Sequence, residues 1–237
     1  HQQPQAIPAR QGVLDGRRVW RAPLLGDDRI FLRSDPEPQP GFSVDLLLDG
    51  SASRLHCQEI IAAQGFLLAK SLAACGIPVR VSSFCSLRGY TVLRILKDFP
   101  DRNAERKIFD YFAAGWNRDG LALRGMAPLL RDAPAEKRLL LLLTDASPND
   151  SHKIPPSDRV PLSRDYDGPA AVQDTAAQVR TLRQRGVRVA AIFMGESASF
   201  PDARTIYGRD LVRIRRMDEL AGAAGKLIQQ EIAELSD

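Results

Sequence analysis

Two kinds of apolar pattern take turns along the chain. Near-continuous runs fall at 44–48, where Val44 and Leu46, Leu47 and Leu48 surround Asp45, and at 137–144, KRLLLLLT. Runs of this length without polar alternation suit strands buried on both faces, as in the middle of a parallel sheet. PVRVSSF (78–84) alternates and carries β-branched residues, so it also reads as a strand. Shorter strands are expected at 90–96, 187–195 and 211–214. Between these runs the apolar residues recur at mainly helical spacing. The first such stretch follows Ser53, with Leu55, Ile60, Leu67, Leu68 and Leu72 as its apolar positions and Gly76 as its stop. Further helices are expected at 104–115, 121–132, 170–186 and 217–235. Strands alternating with helices predict an α/β fold with a doubly wound, mainly parallel central sheet flanked by helices.

What remains is irregular. Residues 1–10 carry no pattern and are expected to be disordered. Residues 16–34 read as two short strands about a turn at Gly26 and Asp27, a β-hairpin, and DPEPQPG (35–41) reads as a proline-rich connector. The expected organisation is therefore an N-terminal extension with a hairpin over 1–40 and one α/β domain over 41–237. Residues 146–168 form a long polar loop, and a loop of that length in a compact domain is usually functional or mobile.

Composition narrows the class only slightly. The 237 residues, 44% hydrophobic and 26% charged, are those of an ordinary globular protein. No apolar run approaches the roughly 20 residues needed to span a bilayer. The start, HQQPQAIPARQG, has no apolar signal core and no initiating methionine, so it reads as a fragment of a longer chain. Cys57, Cys75 and Cys85 are an odd set without CxxC or zinc spacing, expected as small buried side chains in a reducing, cytoplasmic setting. The net charge of +4 and the arginines of RTLRQRGVR and RIRR come with no nucleic-acid motif and no interleaved aromatics. They read as solvated helix faces, with no nucleic-acid partner expected.

Candidate chemistry sits where two buried strands end. In a doubly wound sheet, ligands bind outside the carboxyl ends of the strands. Asp49 closes the first run and Asp145 follows the second, so both carboxylates are expected at the same sheet edge. Two carboxylates side by side repel, and a divalent cation would relieve that repulsion. Ser51 and Ser53 add hydroxyl oxygens, and Gly50 eases the turn. An all-oxygen set suits magnesium or manganese better than zinc. The plainer alternative is that Asp49 and Ser51 cap the following helix and that Asp145 is a turn residue. His56 and His152 lack a second ligand at metal spacing.

Taken in order, Asp49-x-Ser51-x-Ser53 and Thr144-Asp145-Ala146 resemble the von Willebrand factor A (VWA) domain and its metal-ion-dependent adhesion site. That family carries a threonine ligand in an intervening loop. Here the loop is Trp116-Asn117-Arg118-Asp119-Gly120, which puts Asn117 in the threonine's place and Asp119 two residues on as another oxygen donor. NRDGLALR, LLLLTDASPND, IYGRDLVRIRRMDELAG and GVLDGRRVWR further resemble the C-terminal domain of cobalt-chelatase T subunits and nitric-oxide-reductase activation proteins. DGSASR stands where relatives commonly have Asp-x-Ser-Gly-Ser-Met. Ala52 and Arg54 leave the three ligand positions intact, so metal binding is expected to survive.

The resemblance implies a non-enzymatic protein-binding module. Mg2+ or Mn2+ would sit among Asp49, Ser51, Ser53, Asn117, Asp119 and Asp145. The implied partners are an AAA+ ATPase (MoxR-like) and a client metalloprotein that offers a carboxylate to the metal. The alternative is a magnesium-dependent phosphoesterase with Asp119 as nucleophile or base. GxxxxGK[ST] is absent, so ATP hydrolysis by the chain itself is not expected. Extracellular adhesion is disfavoured by the unpaired cysteines and the closer chelatase resemblance.

Overall fold

The computed structural model describes residues 7–9, 13–14, 24–25, 31–33, 41–101, 104–158 and 160–234. The chain divides into two compact units, 1–39 and 40–237. In the first, β1 (Ile7–Ala9) and β2 (Val13–Leu14) both pair antiparallel with β3 (Phe31–Arg33). Residues 7–9, expected to be disordered, thus form a strand whose backbone groups are satisfied by residues distant in sequence. Gly26, Asp27 and the first strand of the expected hairpin lie outside the described residues.

The second unit is built on a six-stranded sheet of β4 (Phe42–Asp49), β5 (Val79–Leu87), β6 (Tyr90–Lys97), β7 (Lys137–Thr144), β10 (Val187–Phe193) and β11 (Leu211–Arg213). Their order across the sheet is β11-β10-β7-β4-β5-β6. Five run parallel and the edge strand β6 is antiparallel to β5. β4 is buried at every position, as its near-continuous apolar run requires.

Helices cover both faces. Val44, Leu46, Leu48, Leu139, Leu141 and Leu143 pack under α1 (Gln58–Ala74) and α5 (Leu220–Glu234). Leu47, Leu140, Leu142, Val189 and Phe193 pack under α2 (Asp119–Arg131), α3 (Gly168–Gln184) and α4 (Phe200–Tyr207). The single-residue alternation of β4 and β7 divides their leucines between two cores. Among the described residues no helix is long and apolar enough to cross a membrane.

Four expectations are corrected. Residues 104–115 do not form an α-helix: a 3-10 helix spans Glu105–Asp110, and the chain after it is irregular. Its backbone is claimed by neighbours, with Ala114 N donating to Gly50 O and Trp116 exchanging two bonds with Ser86. The 146–168 loop contains a hairpin of β8 (Asp150–Ile154) and β9 (Arg164–Tyr166). The inner stripe of α1 is Ile61, Gly65, Leu68 and Leu72, while Leu55, Ile60 and Leu67 are about half exposed (59%, 48% and 48%). A 3-10 helix over Ala52–Cys57 enters α1 and resets the helical phase. Cys57 and Cys85 are buried as expected, but Cys75 at the end of α1 is exposed.

Candidate metal centre

β4 is the strand at which the winding of the sheet reverses, with β5 on one side and β7 on the other. The crevice outside the carboxyl ends of β4 and β7 is therefore the expected ligand position of this topology. Asp49 is the last residue of β4, and Asp145 follows the last residue of β7. Both are buried, with exposures of 1% and 7%.

The loop after β4 is drawn tight. Gly50 N donates to Phe84 O at 2.8 Å, and a Cβ on Gly50 would lie 2.9 Å from that same oxygen, so only glycine fits the approach. Asp49 Oδ1 accepts from Ser51 N at 2.8 Å. Ser51 holds the N-cap position of the following 3-10 helix, yet its side chain makes no capping bond. Its Oγ instead meets Ser53 Oγ at 2.9 Å, and Ser53 Oγ donates to Asp145 Oδ2 at 2.8 Å. Ser53 thus reaches the second aspartate with Ser51 against it, and the cap alternative does not describe the Ser51 side chain.

Residues 111–119 close the other side. Tyr111 Oη donates to Asp49 O at 2.6 Å, and Ala52 N donates to Gly115 O at 3.0 Å. Asn117 exchanges two backbone bonds of 3.1 Å with Asn149, joining this loop to the one carrying Asp145. Arg118 extends that seam through an ion pair to Asp150 at 3.3 Å and by lying over the Tyr166 ring at 4.5 Å. Asp119 opens α2, where the helix dipole favours an anion.

Gly115 sets the course of this loop. It has φ +66°, and a Cβ there would lie 2.2 Å from Ser86 O. Gly115→Ala is expected to destabilise the fold by about 1–3 kcal/mol, since left-handed strain and a backbone clash coincide. Denaturant titration checks this; a loss below about 0.5 kcal/mol, ordinary for a surface change, would contradict it.

The electrostatics are those of crowded anions. Burial, then the charge of Asp145, raises the Asp49 carboxyl to about 7. Burial, then Asp49 and Asp145, raises Asp119 well above the ordinary carboxylate range. Asp49 Oδ2, both Asp119 carboxylate oxygens and Asn117 Nδ2 are buried without a hydrogen-bond partner. Unpaired buried carboxylate oxygens are costly. Together with the two serine hydroxyls they form an oxygen donor set whose chemistry fits a hard divalent cation. Among the described residues no three His, Cys, Asp or Glu side chains converge as ligands. A cation here would accordingly draw on hydroxyl and amide oxygens, and on water, beside the carboxylates.

One participant stands outside the sequence expectation. Arg54, 7% exposed, donates from Nη2 to Asp145 Oδ2 at 2.6 Å, from Nε to Ser53 Oγ at 3.3 Å and from Nη1 to Met194 O at 3.0 Å. A charged residue directly after the Asp-x-Ser-x-Ser run was its only sequence signal. His56 and His152 are exposed and form no part of this network.

A six-stranded, mainly parallel sheet flanked by helices, with these side chains at its switch point, is a VWA-type α/β fold. No protein-family model matches the chain. Among curated proteins it is similar to protein NorD of Brucella abortus, 29% identical over 184 residues, or 73% of this chain. The chain spans only about a quarter (27%) of the length of that relative. Among solved structures, the vWF domain of the type V pili tip protein Mfa5 from Porphyromonas gingivalis superposes with TM-score 0.59 at 12% identity, covering 83% of this chain and 97% of that one. Manganese-loaded TRAP protein of Plasmodium vivax gives 0.56 at 21% identity, covering 80% and 74%. At these identities the structural likeness is one of fold.

Proposed function

We propose that the chain is a metal-ion-dependent protein-binding module rather than an enzyme. Mg2+ or Mn2+ would be held by Asp49, Ser51, Ser53 and Asp145, with Asn117 directly or through water and Asp119 through water. The observation that carries this reading is the set of buried, unpartnered carboxylate oxygens on Asp49 and Asp119 beside Asp145. A bound cation would supply Lewis acidity at this edge, and so attract a carboxylate from a partner protein. The protein's own residues fix the donors: Gly50 and Gly115 set the two loops, Tyr111 ties the end of β4, and the Asn117–Asn149 bridge holds the third loop in place.

The likeness to NorD, taken with the chelatase-type motifs, supports work beside a cytoplasmic MoxR-like AAA+ ATPase in metal insertion or metalloenzyme maturation. The client metalloprotein offers the carboxylate. The phosphoesterase alternative needs Asp119 at the substrate, and Asp119 is fully buried at the start of α2.

Co-purification with the MoxR-like ATPases encoded in the same genome tests the reading. Capture is expected in Mg2+, and is expected to fall at least about tenfold in EDTA and in Asp145→Ala. Capture indifferent to both changes would overturn it.

A further inference from the structure

Asp145 is already paired. The Arg54 guanidinium reaches its Oδ2 at 2.6 Å, and the two side chains are only 9% and 10% exposed. Ser53 Oγ donates to the same oxygen at 2.8 Å. The other oxygen, Oδ1, accepts from Ser147 N at 3.2 Å. The guanidinium is held on its far side by Met194 O at 3.0 Å, in the segment just after β10. It is thus a fixed cation spanning two loops, not a surface side chain that happens to lie near an acid. Its influence also extends to Asp49, whose carboxyl it acts to lower. With Asp49, Asp119 and Asp145 all ionised, one guanidinium would leave two negative charges uncompensated, the charge of one divalent ion.

Resting on the divalent-cation reading above, we propose that Arg54 is a resident counter-cation that competes with the metal for Asp145 Oδ2. It holds the ligand loop and Asp145 together when no metal is bound, and it lowers the affinity of the site for any divalent ion that enters. A unit positive charge beside a metal ligand repels the incoming ion most strongly where water is excluded. Oδ2 already accepts from both Ser53 and Arg54, so an ion bound at that atom would displace one of the two donors, and the guanidinium is the one whose charge it repels. Carboxylate-bearing partners find a site whose metal occupancy is conditional rather than permanent.

The test is Mn2+ titration, followed by calorimetry and by the electron paramagnetic resonance of free Mn2+, on the parent, Arg54→Met and Arg54→Lys. Arg54→Met is expected to bind Mn2+ at least about tenfold more tightly. Arg54→Lys keeps the charge and is expected to stay within about threefold of the parent. The thermal midpoint of Arg54→Met is expected to be lower than that of the parent in EDTA and to recover with Mn2+. A methionine variant that folds only with Mn2+ also supports the proposal, because the ion then replaces the guanidinium. If it folds in neither condition, Arg54→Gln is judged by the same tenfold criterion. Equal or weaker Mn2+ binding by the neutral variant, with the parent binding, overturns the role of Arg54 alone. No Mn2+ binding by any of the proteins overturns the cation reading and this proposal with it.

Discussion

Arg80→Met is expected to cost about 3–5 kcal/mol of folding free energy, because it strips the counter-charge from a buried carboxylate. Asp45 lies in the middle of β4 and Arg80 is its direct neighbour on β5. Their exposures are 0% and 3%, and Arg80 Nε reaches Asp45 Oδ1 at 2.6 Å. The same guanidinium donates to Leu129 O at 2.7 Å, near the end of α2, and lies 4.6 Å from the centre of the Phe99 ring. Removing it therefore also frees a helix-terminal carbonyl and an aromatic face. Equilibrium denaturation measures the loss. The double variant Asp45→Leu/Arg80→Met is expected to regain most of it, since an apolar pair leaves no charge to desolvate. A single variant within about 1 kcal/mol of the parent would show that the pair contributes little.

The same pair fixes a sign for pH. Burial raises the Asp45 carboxyl from 3.8 to about 6, and the charge of Arg80 works against that rise. A carboxyl whose folded-state value lies above its unfolded one favours the fold below the unfolded value. That contribution is lost as pH rises through the folded value. Without Arg80 the Asp45 value moves further up. The deficit of Arg80→Met is therefore expected to be larger at pH 8 than at pH 5, where Asp45 takes up a proton.

Those elements whose formation depends on their own residues were legible in the sequence. The leucine runs of β4 and β7 bury both faces whatever lies beside them, and their terminal aspartates follow directly. The elements that were not legible answer to distant partners. KIFDYF has helical apolar spacing, but the backbone after it is drawn off by Gly50 and Ser86. The short helix α4 was not foreseen in a stretch opened by Ser197, Ser199 and Pro201. At the candidate site, the positions of Asp49, Ser51, Ser53 and Asp145 at one sheet edge were legible from strand ends and spacing. Arg54 was not, because nothing local says which way a 3-10 turn directs its side chain. Its distant partners, Asp145 and the Met194 carbonyl, each at least 91 positions away, turn it inward.

Asp119→Asn is the change expected to separate a ligand from a mere structural acid. Both Asp119 oxygens are buried and unpartnered, and the Asp49 and Asp145 charges bear on them. In EDTA that carboxyl enters the fold either as a buried anion or by taking up a proton, since burial, Asp49 and Asp145 raise it well above the ordinary range; both routes cost stability near neutral pH, so its neutral isostere is expected to be more stable than the parent by about 1–3 kcal/mol. With saturating Mn2+ the parent gains stability by mass action, because the ion binds the folded chain alone. The asparagine variant, with one fewer anionic donor, is expected to lose most of that gain. Thermal unfolding of both proteins, with and without Mn2+, gives four midpoints whose order must cross: variant above parent in EDTA, parent gaining more from metal. A variant less stable than the parent in EDTA would mean that Asp119 is satisfied by the fold itself. A variant with the parent's full metal response would take Asp119 out of the ligand set. The crossing follows from one physical fact, that three acids packed at a sheet edge are unfavourable until something positive joins them. Arg54 supplies part of that charge, and the remainder is what the cation is proposed to bring.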